Sequence, residues 1–129
     1  MRTNTGAERG SAAFDVALAY HKAWTGHNLE RAMSYIADDI VCDAPAGRLE
    51  GKEAFSGFMG PFAESLTASK LIAAFGDDTT ALVMYDTTTV PVKSAPGAEY
   101  IMVRDGTISY MRILFDRLPF EAARRAANG

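Results

Sequence analysis

The residues best placed to do chemistry gather around one short stretch. Asp43 closes the apolar run Ile40-Val41-Cys42 and stands just before a turn marked by Pro45 and Gly47. Apolar neighbours raise a carboxylate's pKa above its ~3.9 reference by desolvation, which suits a general base or acid. The purely structural alternative is an Asp43 that faces water or bonds the backbone of the Ala44–Gly47 turn. Tyr20 and Trp24 lie four residues apart and share a helix face, and each brings a polar hydrogen that needs a partner once buried. A second acid, Asp116, ends the last strand. Its alternatives are a link to Arg112 or Arg117, or a cap on the helix that follows. His21 sits one step off the Tyr20–Trp24 face, beside Leu18 and Phe14, and reads as a rim or core residue.

Other chemistries find no pattern here. His21 and His27 straddle a helix end and Cys42 has no cysteine partner, so no metal site is expected. No glycine-rich phosphate loop and no nucleophile elbow occur. The expected chemistry therefore needs no cofactor. A chain of 129 residues suits one domain, and a net charge of -3 without a basic stripe excludes nucleic acid as the main partner. No apolar run approaches the ~20 residues of a membrane span. A single cysteine fits a reducing compartment, and the cytoplasm is expected. The opening MRTNTGAERGSA lacks an apolar signal core. Residues 1–11 are expected to be a disordered lead-in, and residues 12–129 one domain.

The elements that must position these groups follow from periodicity. Ser11 to Trp24 is a helix with Ala13, Val16, Ala17, Tyr20 and Trp24 on one stripe and Ser11 as its N-cap. Asn28 caps a second helix bearing Leu29, Ala32, Met33 and Ile36, ending at Asp38-Asp39. Ile40 to Asp43 is a short strand. A third helix starts near Gly51 and restarts at Pro61. Lys70 to Phe75, Thr80 to Val90, Ala98 to Arg104 and Thr107 to Phe115 are strands, the last two joined by the hairpin turn Asp105-Gly106. A short helix follows Pro119. Helices and strands are segregated, so the class is α+β: a curved, mostly antiparallel sheet wrapped around three N-terminal helices as a cone with an internal cavity.

That order, with Tyr35-Ile36-Ala37-Asp38-Asp39, Leu49-Glu50-Gly51-Lys52-Glu53-Ala54, Arg104-Asp105-Gly106-Thr107-Ile108 and Leu114-Phe115-Asp116, resembles the nuclear transport factor 2-like superfamily, and within it the SnoaL-like polyketide cyclases and ketosteroid isomerases. The resemblance implies a catalytic aspartate at Asp43, although Cys42 stands where the isomerases carry an acid and Ala44 separates Asp43 from Pro45. It implies a hydrogen-bonding tyrosine at Tyr20, a second, protonated acid at Glu99, and a working acid near Asp116. The ligand would lie against Trp24, Phe55, Met59, Phe62, Met84, Glu99, Met102, Met111 and Phe115. The expected function is proton transfer on, or binding of, a small apolar carbonyl compound. One rival is a non-catalytic ligand-binding or dimerisation module. The other is an epoxide hydrolase built on Asp86, Arg112 and Asp116. The mixed apolar face of Ile108, Tyr110, Arg112 and Leu114 predicts a homodimer through the outside of the sheet.

Overall fold

The computed structural model describes residues 10–128, so most of the lead-in expected over residues 1–11 lies outside the described residues. Helix α1 (Ala12–Thr25) buries Ala13, Ala17, Tyr20, His21, Ala23 and Trp24. Its N-terminus is capped differently from the expectation. Ser11 holds the cap position, but its hydroxyl turns to the Asp15 carboxylate at 3.0 Å. Distant groups accept the free helix N–H donors instead. The Asp78 carboxylate takes the Ala12 N–H at 3.1 Å, and the Asp77 carbonyl takes those of Ala13 and Phe14 at 3.1 Å. Helix α2 (Leu29–Ser34) is capped as read, with the Arg31 N–H donating to Asn28 Oδ1 at 3.1 Å.

The helical stripe through Ile36 suggests a longer α2, but the helix stops at Ser34 and strand β1 spans Ile36–Ala44. The Tyr35 carbonyl accepts the Ile108 N–H at 2.7 Å, and Ile36 pairs with Ile108. A strand distant in sequence overrides a local helical pattern, as tertiary pairing commonly does. Strand β2 (Gly47–Glu50) returns antiparallel against β1. Four residues with Arg48 and Glu50 outward carry too little apolar alternation to be read as a strand. Helix α3 (Lys52–Ser65) runs unbroken through Pro61. Pro61 and Gly57 are both exposed, so the Gly57 carbonyl that the proline cannot serve meets solvent rather than a dry core.

Strands β3 (Leu66–Gly76), β4 (Thr80–Thr89), β5 (Gly97–Arg104) and β6 (Thr107–Phe115) form a meander, and α4 (Leu118–Asn128) ends the described chain. The sheet order is β2-β1-β6-β5-β4-β3; β1 and β6 are parallel, and every other pair is antiparallel. Asp105 (φ 53°) and Gly106 (φ 81°) make the left-handed pair that a two-residue hairpin requires. Register shifts in β3–β4 and β5–β6 help the sheet curve. Its concave face packs Ala81, Val83, Tyr85, Ile101, Met111 and Ile113 against Tyr20, Trp24, Phe55 and Met59.

This parity corrects two expected ligand contacts. Met84 and Met102 are 51% and 39% exposed, on the outside of the sheet. Strand alternation turns them away because their neighbours Val83, Tyr85 and Ile101 face inward.

Candidate functional site

Inside the concave face, three elements bring polar atoms into an otherwise apolar core. Glu99 on β5 is 1% exposed. Its carboxylate accepts the Tyr85 hydroxyl at 2.7 Å through Oε2. Tyr85 reaches it diagonally across β4 and β5, because its direct partner is Gly97. A Cβ at residue 97 would lie 2.9 Å from the Tyr85 ring and 3.1 Å from its hydroxyl oxygen. Gly97 thus leaves the space in which Tyr85 lies. From α1, Tyr20, His21 and Trp24 face the same interior. His21 meets Trp24 edge-on and Tyr85 at a tilt, both at 5.1 Å between ring centroids, and Trp24 lies 5.4 Å from Tyr85.

Each group's electrostatics follows from its burial. Desolvation lifts Glu99 from the usual carboxylate range to about 7, with the Tyr85 hydrogen bond pulling the other way. Tyr20 is held protonated by burial, then by the nearby Glu99 carboxylate. Tyr85 is raised by burial and by Glu99. Burial pushes His21 down to about 4, so it is neutral at physiological pH. Burial, then Glu99 and Asp43, push the Cys42 thiol up to about 12, which leaves it unreactive. Four buried atoms, Glu99 Oε1, Tyr20 Oη, Trp24 Nε1 and His21 Nδ1, have no hydrogen-bond partner among the described residues. Most buried polar groups in proteins are paired, so a cluster of unpaired ones marks a place built for more than packing.

The sequence-predicted residues divide around this cluster. Tyr20, Trp24 and Glu99 belong to it. Phe55, Met59 and Met111 are buried core beside it, and Phe62 and Phe115 are half-buried at its open end. Asp43 stands elsewhere. It shares the outer parity with Val41, while Ile40 and Cys42 are fully buried. Its carboxylate takes Arg48 through both oxygens, at 2.8 and 2.9 Å, and the Tyr110 hydroxyl at 2.6 Å. The expected upward shift is therefore reversed. The Arg48 and Tyr110 hydrogen bonds hold Asp43 well below the usual carboxylate range. Asp116 is exposed and accepts the Leu118 N–H at 3.0 Å, the helix-capping alternative. Asp86 and Arg112 are likewise exposed, so the acid–arginine–acid set of the epoxide hydrolase reading does not assemble in the interior.

Tyr85 is a site residue that the sequence does not single out: the expected ligand contact on β4 is its neighbour Met84, as a methionine suited to an irregular pocket, and with apolar residues on both faces of the strand nothing local marks Tyr85 as the inward one.

Outside the core, a cleft of about 240 Å³ opens where α3, β6 and α4 meet. Phe58, Phe62, Phe115 and Phe120 line it, together with Ala46, Arg117, Glu121 and Arg124. Phe62 touches Phe120 at 6.2 Å and Trp24 at 5.7 Å. The rings thus run without a break from the cleft to the buried polar atoms. No helix among the described residues is long and apolar enough to cross a membrane.

The model of the family of SnoaL-like domains matches residues 17–111. A crystal structure from Kribbella flavida DSM 17836 is 56% identical, with a TM-score of 0.88 over 92% of this chain and 98% of that one. A Xanthomonas campestris protein, provisionally described as a polyketide cyclase, is 20% identical over 89% of this chain and 98% of its own, with a TM-score of 0.69. A nuclear transport factor 2-like protein of unknown function from Cytophaga hutchinsonii is 19% identical over 94% of this chain and 99% of its own, also at 0.69. At that identity the last two share the fold alone with this chain. Among curated proteins none matches.

Proposed function

This chain belongs to the family of SnoaL-like domains, and from that premise we propose that it catalyses cofactor-independent proton transfer on a small apolar carbonyl compound, with Glu99 as the base. The observation that carries the reading is the buried carboxylate, raised to about 7, among unpartnered donors. A base with a pKa near the working pH is both available and strong enough to matter. Tyr85 holds one carboxylate oxygen and leaves Oε1 for the substrate. Oε1 removes a proton from the carbon next to the carbonyl. The C–H electron pair becomes the enolate, and its charge collects on the carbonyl oxygen. The Tyr20 hydroxyl and the Trp24 indole N–H stabilise that oxygen by donating to it. Glu99 then returns the proton to another carbon, or the enolate carbon attacks a second carbonyl and closes a ring, the C=O π pair moves to that oxygen, and Glu99 returns its proton to the alkoxide so formed. The base is assigned to Glu99 rather than Asp43 because a carboxylate kept ionised by Arg48 has little affinity for a proton.

The test is exchange of the α-proton. The protein is incubated in deuterium oxide with a panel of cyclic enones and 1,3-diketones, and the α-position is followed by proton NMR. Deuterium entering at least one compound faster than in buffer is expected. Binding without exchange across the panel would favour the non-catalytic ligand-binding module.

The outer face of the sheet supports a homodimer as part of the same reading. Leu82, Met84 and Leu114 are more than half exposed there, and such a contiguous apolar face usually marks an interface. Sedimentation equilibrium is expected to give twice the chain mass at micromolar concentration. Leu114→Glu, in which a charge is buried at the contact, is expected to give a monomer. A monomeric wild type would reject the dimer.

A further inference from the structure

The cleft at the end of the aromatic path has a polar rim of one dominant sign, and this bears on what it takes. Phe120, Glu121 and Arg124 share one face of α4, and Arg117, whose carbonyl accepts the Glu121 N–H just before the helix, continues that face by the same spacing. Among the described residues Glu121 is the only carboxylate lining the cleft, and it is already engaged by Arg117 at 3.0 Å. Arg124 has no carboxylate within ion-pair distance among the described residues. The rim therefore keeps a net positive charge in a chain whose net charge is -3. The four phenylalanines below it come from α3, β6 and α4 and offer an apolar slot. Asp116 already accepts the Leu118 N–H at 3.0 Å, so the helix N-terminus itself adds no anion site.

We propose that the molecule this chain takes is an anionic amphiphile: an apolar body held between Phe58, Phe62, Phe115 and Phe120, and a carboxylate bound at the rim by Arg124 and Arg117. This rests on the proposed function, since the carbonyl end must point along Phe62 and Trp24 toward Glu99. Guanidinium matches a carboxylate with two parallel hydrogen bonds, stronger than neutral ones. A cleft of about 240 Å³ is smaller than the ~300 Å³ at which pockets for drug-sized molecules begin. It suits a slim chain or a single ring rather than a fused ring system.

Calorimetric titration with 6-phenylhexanoate and its neutral amide, 6-phenylhexanamide, tests the assignment. The wild type is expected to bind the carboxylate about tenfold more tightly at low salt, with the gap narrowing as salt rises. In the double variant Arg117→Gln/Arg124→Gln the two probes are expected to bind alike. Both residues are exposed, and circular dichroism will show that the fold persists. Glu99→Gln is expected to keep the carboxylate preference. Loss of exchange chemistry without loss of that preference would thus count against the proposed function and not against this inference. Equal binding by the wild type, no binding of either probe, or a preference that survives the double variant would each overturn it.

Discussion

Glu99→Gln lowers turnover by about 10²–10⁴, the usual worth of a positioned acid–base group, while Asp43→Asn leaves it near the wild-type value. Glutamine keeps the shape of the side chain, and its carbonyl oxygen still accepts the Tyr85 hydroxyl, so packing is preserved and only the proton acceptor is lost. In the wild type the rate rises with pH through an inflection near 7, where Glu99 ionises. A steady-state rate profile on whichever compound shows deuterium exchange reads both results. The opposite pattern, with activity lost in Asp43→Asn and kept in Glu99→Gln, would return the base to β1. In that case no inflection near 7 is expected, because Arg48 and Tyr110 hold Asp43 ionised far below that pH. Gly97 links the fold to this result, since the Tyr85–Glu99 contact exists only where residue 97 has no side chain.

The second large effect is on stability, and its sign changes with pH. Glu99 moves from 4.5 to about 7 on folding. The folded state then binds the proton more tightly, so stability is complete below pH 4.5 and falls as pH rises through 7. His21 moves the other way, from 6.5 to about 4. The unfolded state binds its proton more tightly, so stability rises between pH 4 and 6.5. Each shift corresponds to about 3 kcal/mol when fully expressed. In the wild type the two slopes oppose each other between pH 4.5 and 6.5 and nearly cancel, and Glu99 alone acts from there to somewhat above pH 7. Glu99→Gln removes one slope. The variant is expected to match the wild type at pH 4 and to exceed it by about 3 kcal/mol at pH 8, roughly 10 °C in melting temperature. Urea unfolding at pH 4, 6 and 8 measures the difference. A variant less stable than the wild type at pH 8 would mean that Glu99 is not desolvated. The same substitution thus trades activity for stability, as at many sites that hold a group in an unfavourable state.

The legibility of the sequence varied with the range of the interactions involved. Short-range signals are legible: the α1 stripe, the Asn28 cap and the Asp105-Gly106 hairpin each depend on residues a few positions apart. The α+β class with a curved sheet followed from their order. Signals that depend on distant partners were not legible. Val41 and Asp43 alternate with Ile40 and Cys42, and both pairs contain apolar residues, so parity alone could not turn Asp43 outward. That was decided by Arg48 on β2 and Tyr110 on β6. Ser11 is a good cap residue by type, yet Asp78, brought up by the β3–β4 turn, caps the helix. Of Met84 and Tyr85, only the pairing of β4 with β5 tells which faces the core. Glu99 could be proposed from family likeness, but its raised pKa depends on an interior built by elements distant in sequence.

The parallel ladder between β1 and β6 sets the order in which the chain can assemble. Tyr110 and Asp43, joined across it, are 67 positions apart, and closing a loop of that length costs on the order of 4 kcal/mol of chain entropy. The β3–β6 meander forms from neighbours in sequence and escapes that cost. The β1–β2 hairpin is also local, but two strands alone are marginal in water. The first half of the chain is therefore expected to dock onto a meander that has formed before it. Glu99 and Tyr85 are brought together early in this sequence of events, whereas Tyr20, Trp24 and the phenylalanines of α3 arrive with the slow, non-local step. The buried acid is thus wet while the sheet forms, and it is dried only when the helices close over it.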